Sequence, residues 1–397
     1  MGDDLIDHGP SVLPIAFKVA RTSGLEAPED AVIHVTTAAR ALGGMQKEAL
    51  VGFGPTGTWW RMLCDEGPYL NGTDLAPFPL AFFSTGVVTS YMSAILALAR
   101  RRGVPVDDIA LVQDNHYGME GSAIRGTMVG SALHVELEVR MRSTVPRTEL
   151  ERLVQQAVAD SPADALLRAP LASEFTLTRN GVRLPVTLVA PWRTDAPAAF
   201  AALFDERAPA TSANDGPEII TKLSAAETLH GVEGGAGTSL AAEQKRTLHV
   251  RATCALRADG LKQVTVQLFR PIGSVFQFLS DDPACFGGAE RAPDGLAYLS
   301  AGIAFCYMTQ IGRYAHIAKQ RLDSYGVMQQ TRFSMPHVSG GPETAANAEP
   351  VRTHVFVESP EPAERSQTLV KMGEQTCFLH AACRTPLETR VSFPDAS

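Results

Sequence analysis

The sequence has few of the features that identify a specialised class of protein. Of 397 residues, 7% are aromatic and six are cysteine, and no Cys-x-x-Cys pair occurs. So few cysteines in so long a chain exclude a disulfide scaffold. Asp and Glu outnumber Lys and Arg by 43 to 35, which argues against nucleic acid or an anionic membrane as partner. The acidic N-terminus has no apolar core, so we expect no secretory signal, a cytoplasmic location and reduced thiols.

One group of residues has a spacing that suggests a metal site. Cys377, His380 and Cys383 follow one another at intervals of three residues. On a helix these positions spread over roughly 120° of arc, too wide for ligands that converge on one ion. We therefore expect no metal. We also expect no nucleotide cofactor, because the glycine-rich segment 231–237 lacks the Gly-Lys-Ser/Thr ending of a phosphate loop.

What the sequence does contain is an internal duplication. Residues 53–95 and 269–311 align without a gap at an offset of 216 positions, and fifteen of the 43 pairs are identical. The same offset returns near the C-terminus, where Arg-Ala-Pro-Leu at 168–171 matches Arg-Thr-Pro-Leu at 384–387. The chain is therefore interpreted as two fused copies of one domain.

The two copies differ at positions that could carry chemistry. Ser90 stands opposite Cys306, and Ser161 stands opposite Cys377. Only the second copy thus has a cysteine pair. No Gly-x-Ser-x-Gly motif surrounds either serine, so we interpret both as residues that fill the volume of a thiol.

The length and composition indicate where the copies are joined. A chain of this length suits two or three domains of ordinary size. Residues 208–244 are rich in Ala, Gly, Ser and Thr, which is typical of a linker or long surface loop. We predict a first domain at 1–205, a linker at 206–245 and a second domain at 246–397.

Hydrophobic patterning predicts the same order of elements in each half. Strands come first, then one long apolar helix, then further strands and a second helix. A helix that is apolar on all sides fits the centre of a soluble domain, so we expect no membrane span. The predicted helices are 79–102 and 147–159 in the first half and 296–318 and 366–382 in the second.

Several short motifs accompany this order. They are Asp281-Asp282-Pro283 with Gly287-Gly288, the segment from Ala301 to Cys306, and the segment from Gly373 to Cys377; in the first half they are Asp65-Glu66-Gly67-Pro68, Gly72 and Pro79-Leu80-Ala81. Together they resemble the OsmC/Ohr family of thiol-dependent peroxidases, over most of the chain outside the linker. The resemblance implies an α+β fold of two OsmC-like domains, each with antiparallel sheets and a long central buried helix. It also implies that the two domains form an internal pseudo-dimer.

The resemblance implies a function as well. In the family, the helix cysteine attacks a hydroperoxide, becomes a sulfenic acid and is resolved by a second cysteine. By position, Cys306 would be peroxidatic and Cys377 resolving. The partners implied are a small apolar substrate and a dithiol reductant, and whether the chain also forms a homodimer is left open.

The sequence departs from the family pattern at one position. The family activates its cysteine with an arginine from the early strands, oriented by a glutamate near the start of the long helix. Arg257 matches the place of the arginine loosely. The glutamate position holds Ala81 and Ala297, and Asp294 is the acidic residue that could substitute for it.

Two alternatives stay open at this point. Cys306 could attack an electrophilic carbon, as in a hydrolase or lyase for an aromatic or acyl molecule, with a histidine as activating base. The candidate bases are His337, His316 and His380, of which His316 lies nearly three turns beyond Cys306. The second alternative is a non-catalytic protein that binds an apolar ligand.

Overall fold

The computed structural model describes residues 14–20, 33–194, 200–205, 218–225, 244–337, 341–342 and 344–394. Within these ranges the protein has a mixed α+β fold of two sheets and six α-helices. The helices are α1 (Pro79–Arg102), α2 (Arg147–Asp160), α3 (Pro162–Arg168), α4 (Gly295–Ile317), α5 (Ala363–Thr376) and α6 (Phe378–Arg384). In the second half, α4, α5 and α6 begin 216 residues after α1, α2 and α3 respectively.

The first sheet has ten strands. Their order is β1-β4-β3-β2-β15-β17-β8-β10, with β9 paired to β8 and β16 paired to β15. The strands are β1 (Ala16–Val19), β2 (Ile33–Ala41), β3 (Lys47–Phe53), β4 (Thr58–Cys64), β8 (Glu174–Arg179), β9 (Val182–Leu184), β10 (Ala190–Pro191), β15 (Ser324–Ser334), β16 (Asn347–Ala348) and β17 (Arg352–Glu358).

The second sheet has eight strands. Their order is β11-β14-β13-β12-β5-β7-β18, with β6 paired to β5. The strands are β5 (Asp108–Gly121), β6 (Val129–Ala132), β7 (Val135–Arg142), β11 (Ile220–Ser224), β12 (Gln244–Leu256), β13 (Lys262–Arg270), β14 (Val275–Ser280) and β18 (Thr389–Ser392).

Each sheet combines strands from both halves of the chain. In the first sheet β2 pairs antiparallel with β15, and β8 pairs parallel with β17. In the second sheet β12 pairs antiparallel with β5, and β18 pairs parallel with β7. Because these ladders join the halves through backbone hydrogen bonds, neither sheet is complete without strands from both.

The two long helices lie against each other between the sheets. Helix α4 packs on β2, β3 and β15 of the first sheet, and α1 packs on β12, β13 and β5 of the second. They approach closely at two glycines: a Cβ on Gly86 would lie 2.4 Å from the backbone N of Leu299, and one on Gly302 would lie 2.6 Å from the backbone N of Phe83. Gly86 and Gly302 are themselves separated by the 216-residue offset. Only glycine permits this spacing, because any side chain would meet the opposite backbone.

Helix α1 is buried, as expected of the central helix. Of the described residues, it forms the one helix that is long and apolar enough to cross a membrane, with a mean hydropathy of 1.5 over its most apolar 18 residues. Of that window, 83% is buried inside the protein. Its apolar surface is therefore covered by the sheet and by α4.

Two local predictions differ from the structure. The single helix predicted at 366–382 is two helices, because Cys377 adopts an extended conformation (φ −74°, ψ 121°) between them. The predicted linker contains β11, which pairs with β14. The rest of the linker, 206–217 and 226–243, lies outside the described residues, and the domain boundaries stay a prediction.

Candidate functional site

The fold brings Cys306 and Cys377 into contact. Their sulfur atoms are 3.3 Å apart, although the residues are 71 positions apart in the chain. Cys306 lies in the middle of α4 with 3% of its surface exposed, and Cys377 is fully buried. Cys377 lies at the break between α5 and α6, where its extended backbone faces α4. A continuous helix would not place Cys377 in that position. Two thiols at this distance can form a disulfide after a small movement.

Cys377 also contacts His380. The Nδ1 atom of His380 lies 3.2 Å from the Cys377 sulfur, and the His380 backbone N–H donates to the same sulfur at 3.5 Å. The imidazole packs between Phe175 and Tyr307, at ring-centroid distances of 5.5 and 5.0 Å. Burial lowers the pKa of His380 to about 4. The imidazole is therefore neutral at pH 7 and serves Cys377 as a hydrogen-bonding partner.

A buried carboxylate from the first half reaches the helix of Cys306. Glu66 accepts a hydrogen bond from Thr309 Oγ1 at 2.8 Å, and Thr309 lies one turn after Cys306 on α4. The hydroxyl of Tyr69 donates to the other carboxylate oxygen at 3.2 Å. Burial raises the pKa of Glu66, while the charges of Lys47 and Arg246 act to lower it.

Three buried cations surround this carboxylate. Lys47 is fully buried on β3, Arg246 lies near the start of β12, and Arg313 lies two turns after Cys306 on α4. The guanidinium of Arg246 lies over the ring of Tyr69, 5.4 Å from its centroid. Burial and the neighbouring Arg246 lower the pKa of Arg313 to about 10. The cluster thus combines one carboxylate with three cations, and Glu66 joins it to α4 at Thr309, one turn from Cys306.

Burial dominates the protonation of Cys306. Desolvation raises the pKa of its thiol well above the ordinary value, and the hydrogen bond with Cys377 raises it further. The Leu379 backbone N–H, in the first turn of α6, acts in the opposite direction. Cys306 is therefore a neutral thiol at pH 7.

The structure does not bring the arginine and aspartate predicted from the sequence to the thiols. Arg257 lies in an exposed turn, where it forms an ion pair with Asp259 at 2.9 Å. Asp294 caps the start of α4 and accepts hydrogen bonds from the backbone N–H groups of Leu296 and Ala297. Twelve residues of helix separate it from Cys306, or about 18 Å. Neither residue is placed to activate that thiol in this conformation.

Asp294 and His337 instead line a cavity of about 630 Å³ beside Ser90. The Ser90 and Ser161 hydroxyls are hydrogen-bonded to each other at 2.8 Å. The sulfur atoms of Cys306 and Cys377 are in contact in the same way in the second half. His337 is exposed at the edge of this cavity, and His316 is exposed near the end of α4. Of the three candidate bases, His380 is the one that lies beside the thiol pair, and it contacts Cys377.

The surroundings of Ser90 repeat those of Cys306. Ser93 donates to Asp282 at 2.6 Å, and Lys262 donates to the same carboxylate oxygen at 2.6 Å. Ser93 and Asp282 correspond by the 216-residue offset to Thr309 and Glu66. In both places a loop of one half therefore supplies a carboxylate to the long helix of the other half.

Sequence reasoning missed Glu66, Arg246 and Arg313. The sequence did offer a signal for Glu66, since Asp65-Glu66 aligns with Asp281-Asp282 in the duplication. The alignment alone would assign Glu66 to the serine site of its own half. No local sequence pattern shows that the loop of Glu66 lies against the long helix of the other half. Among the described residues, no group of three or more His, Cys, Asp or Glu side chains is arranged to hold a metal ion.

Comparisons with known proteins give a limited result. No protein family model matches the chain. No curated protein matches it either. One similar solved structure is an OsmC-like hydroperoxide resistance protein from Jannaschia sp. CCS1, with 24% identity over 30% of this chain and 75% of that chain, at a TM-score of 0.21. Another is the organic hydroperoxide resistance protein OsmC from Legionella pneumophila, with 18% identity over 33% of this chain and 88% of that chain, at a TM-score of 0.25. At these TM-scores the likeness carries no argument about function.

Proposed function

We propose that this protein reduces an organic hydroperoxide, with Cys306 as the peroxidatic thiol and Cys377 as the resolving thiol. The observation that supports this most directly is the 3.3 Å contact between their sulfur atoms. A sulfenic acid formed on Cys306 would lie in contact with the thiol that must condense with it. No large rearrangement is then needed between the two steps.

The reaction has three balanced steps. The Cys306 thiolate attacks the outer oxygen of the hydroperoxide, the O–O bond breaks, and the alkoxide leaves and takes a proton to become an alcohol. The Cys377 thiolate attacks the sulfur of the sulfenic acid, the S–O bond breaks, and the hydroxide that leaves takes up a proton to become water. A small dithiol then reduces the disulfide by thiol–disulfide exchange and is itself oxidised to a disulfide.

The neutral resting state of Cys306 requires a source of activation. Thiolate is the reactive form, and cations stabilise it. In our proposal Arg246 and Arg313 supply that charge, and Glu66 orients them through the buried cluster. These residues would replace the family's arginine and its orienting glutamate, whose position in this sequence holds Ala81 and Ala297.

The proposed architecture is a pair of OsmC-like domains fused into an internal pseudo-dimer, with domains at 1–205 and 246–397. The repeated order of α1–α3 and α4–α6 supports it. So does the exchange of strands between the two sheets. On this proposal the second half carries the thiols and the first half contributes Glu66 and completes both sheets. The substrate would be a small apolar hydroperoxide in the cytoplasm.

The first test is intact-protein mass spectrometry of the reduced protein, before and after one equivalent of cumene hydroperoxide. We expect a rapid loss of about two mass units, as for one disulfide, and peptide mapping should locate it between Cys306 and Cys377. Oxidation no faster than that of free cysteine would contradict the proposal. That result would direct the search to carbon electrophiles attacked by Cys306.

A further inference from the structure

The cavity beside Ser90 is separate from the thiol pair and has the size of a ligand site. Its volume of about 630 Å³ lies within the range of roughly 300–1,000 Å³ that is typical of small-molecule pockets. It is bounded by the second half of α1, the first turn of α4 and the loop before α4. The thiol pair lies further along α4, so a ligand here would not contact either sulfur atom.

The lining of this cavity combines apolar and polar side chains. The apolar ones include Phe53, Leu96, Phe286, Leu296 and Met335. The polar ones include Ser90 and Ser93, together with the ion pair of buried Lys262 and partly exposed Asp282. Such a surface favours a molecule whose larger part is apolar.

Most charges that line the cavity are already paired. Lys262 pairs with Asp282 at 2.6 Å, and Arg291 pairs with Asp281 at 3.0 Å. Asp294 is occupied as the cap of α4. Asp259 also lines the cavity and pairs with Arg257 at 2.9 Å. The charges of these three ion pairs are therefore already balanced.

Arg100 is different. It is exposed at the edge of the cavity in the last turn of α1, and no hydrogen bond or ion pair to its side chain is formed within the described part of the chain. Its neighbour Arg101 makes a long ion pair with Asp160, at 3.8 Å. Two arginines at the mouth of an apolar cavity provide a place for one anionic group.

We propose that this cavity binds a small amphipathic carboxylate, with its apolar chain or ring inside and its carboxylate at Arg100. Ser90, which lines the cavity, stands where the second half has Cys306, so the site would bind its ligand without converting it. This inference does not depend on the peroxidase proposal. A failure of thiol oxidation would leave it intact, and a failure of carboxylate binding would leave the thiol chemistry intact.

Isothermal titration calorimetry of the full-length reduced protein would test the proposal, with octanoate and dodecanoate as probes and 1-octanol as the uncharged comparison. We expect one saturable site that binds dodecanoate more tightly than octanoate, because burial of each additional methylene is favourable. Octanoate should bind more tightly than 1-octanol. The Cys306→Ser variant should bind both acids as the unmodified protein does.

Three variants locate the site. Ala97→Trp places a large side chain in the cavity and should abolish binding. Arg100→Gln should weaken octanoate about fivefold, as expected for one exposed charge pair, and leave 1-octanol unchanged. Arg102→Gln removes an exposed arginine two residues further along, outside the cavity lining, and should change nothing.

Several results would overturn the proposal. The absence of saturable binding would refute it, and so would binding that persists in a folded Ala97→Trp variant. Equal effects of Arg100→Gln and Arg102→Gln would refute the carboxylate as the ligand class. If thermal unfolding shows that Ala97→Trp is not folded, Leu256→Glu replaces it. Leu256 is a partly exposed wall residue, and the added negative charge should weaken octanoate more than 1-octanol.

Discussion

Ser90 and Ser161 are hydrogen-bonded to each other at 2.8 Å, in the positions that Cys306 and Cys377 occupy in the other half. Both pairs are separated by 71 residues. The backbone therefore offers two equivalent places for a side-chain pair between the long helix and the break that follows the next helix. The two places differ in their side chains, which are a pair of serines at one and a pair of cysteines at the other.

Cysteines at positions 90 and 161 should also form a disulfide. We predict that the Ser90→Cys/Ser161→Cys double variant forms a second disulfide on mild oxidation with diamide, and so loses about four mass units instead of two. Each single substitution serves as the control and should give the loss of the unmodified protein. A double variant that stays at two units under conditions that fully oxidise Cys306 and Cys377 would show that the two places differ in backbone geometry.

The two native cysteines should have distinct roles. Cys306→Ser should abolish peroxide consumption, because the hydroxyl is not a nucleophile toward peroxide oxygen at neutral pH. Cys377→Ser should permit one turnover and then leave Cys306 as a sulfenic acid, which dimedone labelling detects by mass. Full turnover by Cys306→Ser would exclude every thiol mechanism at this site.

Arg246 should matter more for activity than Arg257. Arg246→Met removes a buried cation from the cluster around Glu66 and should slow the oxidation of Cys306 by about a hundredfold, as for the loss of one fixed electrostatic donor. Arg257→Met is the matched control: it removes an exposed arginine paired only with Asp259, and it should leave the rate unchanged. The measurement is the pseudo-first-order rate of thiol loss at pH 7. A larger effect of Arg257→Met than of Arg246→Met would instead assign the activation of Cys306 to Arg257, as predicted from the sequence.

A side chain added at Gly302 should disrupt the close contact between α1 and α4. Gly302→Ala would place a Cβ 2.6 Å from the Phe83 backbone and should lower the free energy of unfolding by about 1–3 kcal/mol. Gly312→Ala in the same helix meets only the Tyr325 hydroxyl at the tip of a side chain, which can move. It should be nearly neutral. Urea denaturation of both variants measures the difference, and equal midpoints would mean that the helices can separate at little cost.

Acid should destabilise the protein through buried histidines. His380 has its pKa lowered to about 4 by burial, and His354 likewise, so both are neutral in the folded protein and take protons on unfolding. Stability should therefore be fully present above about pH 6.5 and decline as the pH falls toward 4. His380 alone would contribute up to about 3 kcal/mol of this loss.

Urea denaturation at pH 7.5, 5.5 and 4.5 measures that decline. His380→Gln should reduce the slope against pH by close to one proton. His316→Gln, at an exposed position, should leave the slope unchanged. If His380→Gln and His316→Gln have the same slope, proton uptake by His380 does not contribute to acid unfolding.

The sequence by itself determined the two long central helices and the repetition of the two halves. The bounds of α1 and α4 follow from long apolar runs and their flanking residues, and the pairing of Ser90 with Cys306 follows from the ungapped alignment. Such features depend on local patterns of hydrophobicity and on identity at a fixed offset, both of which can be read without knowing which elements touch.

Only the tertiary structure decided which half contributes to which site. The exchange of strands places Glu66 against the helix of Cys306. It also places Arg246, and not Arg257, in the buried cluster. These relations depend on the packing of α1 against α4 and on the hydrogen bonds between β2 and β15 and between β12 and β5. They are long-range contacts, and no local sequence pattern encodes them.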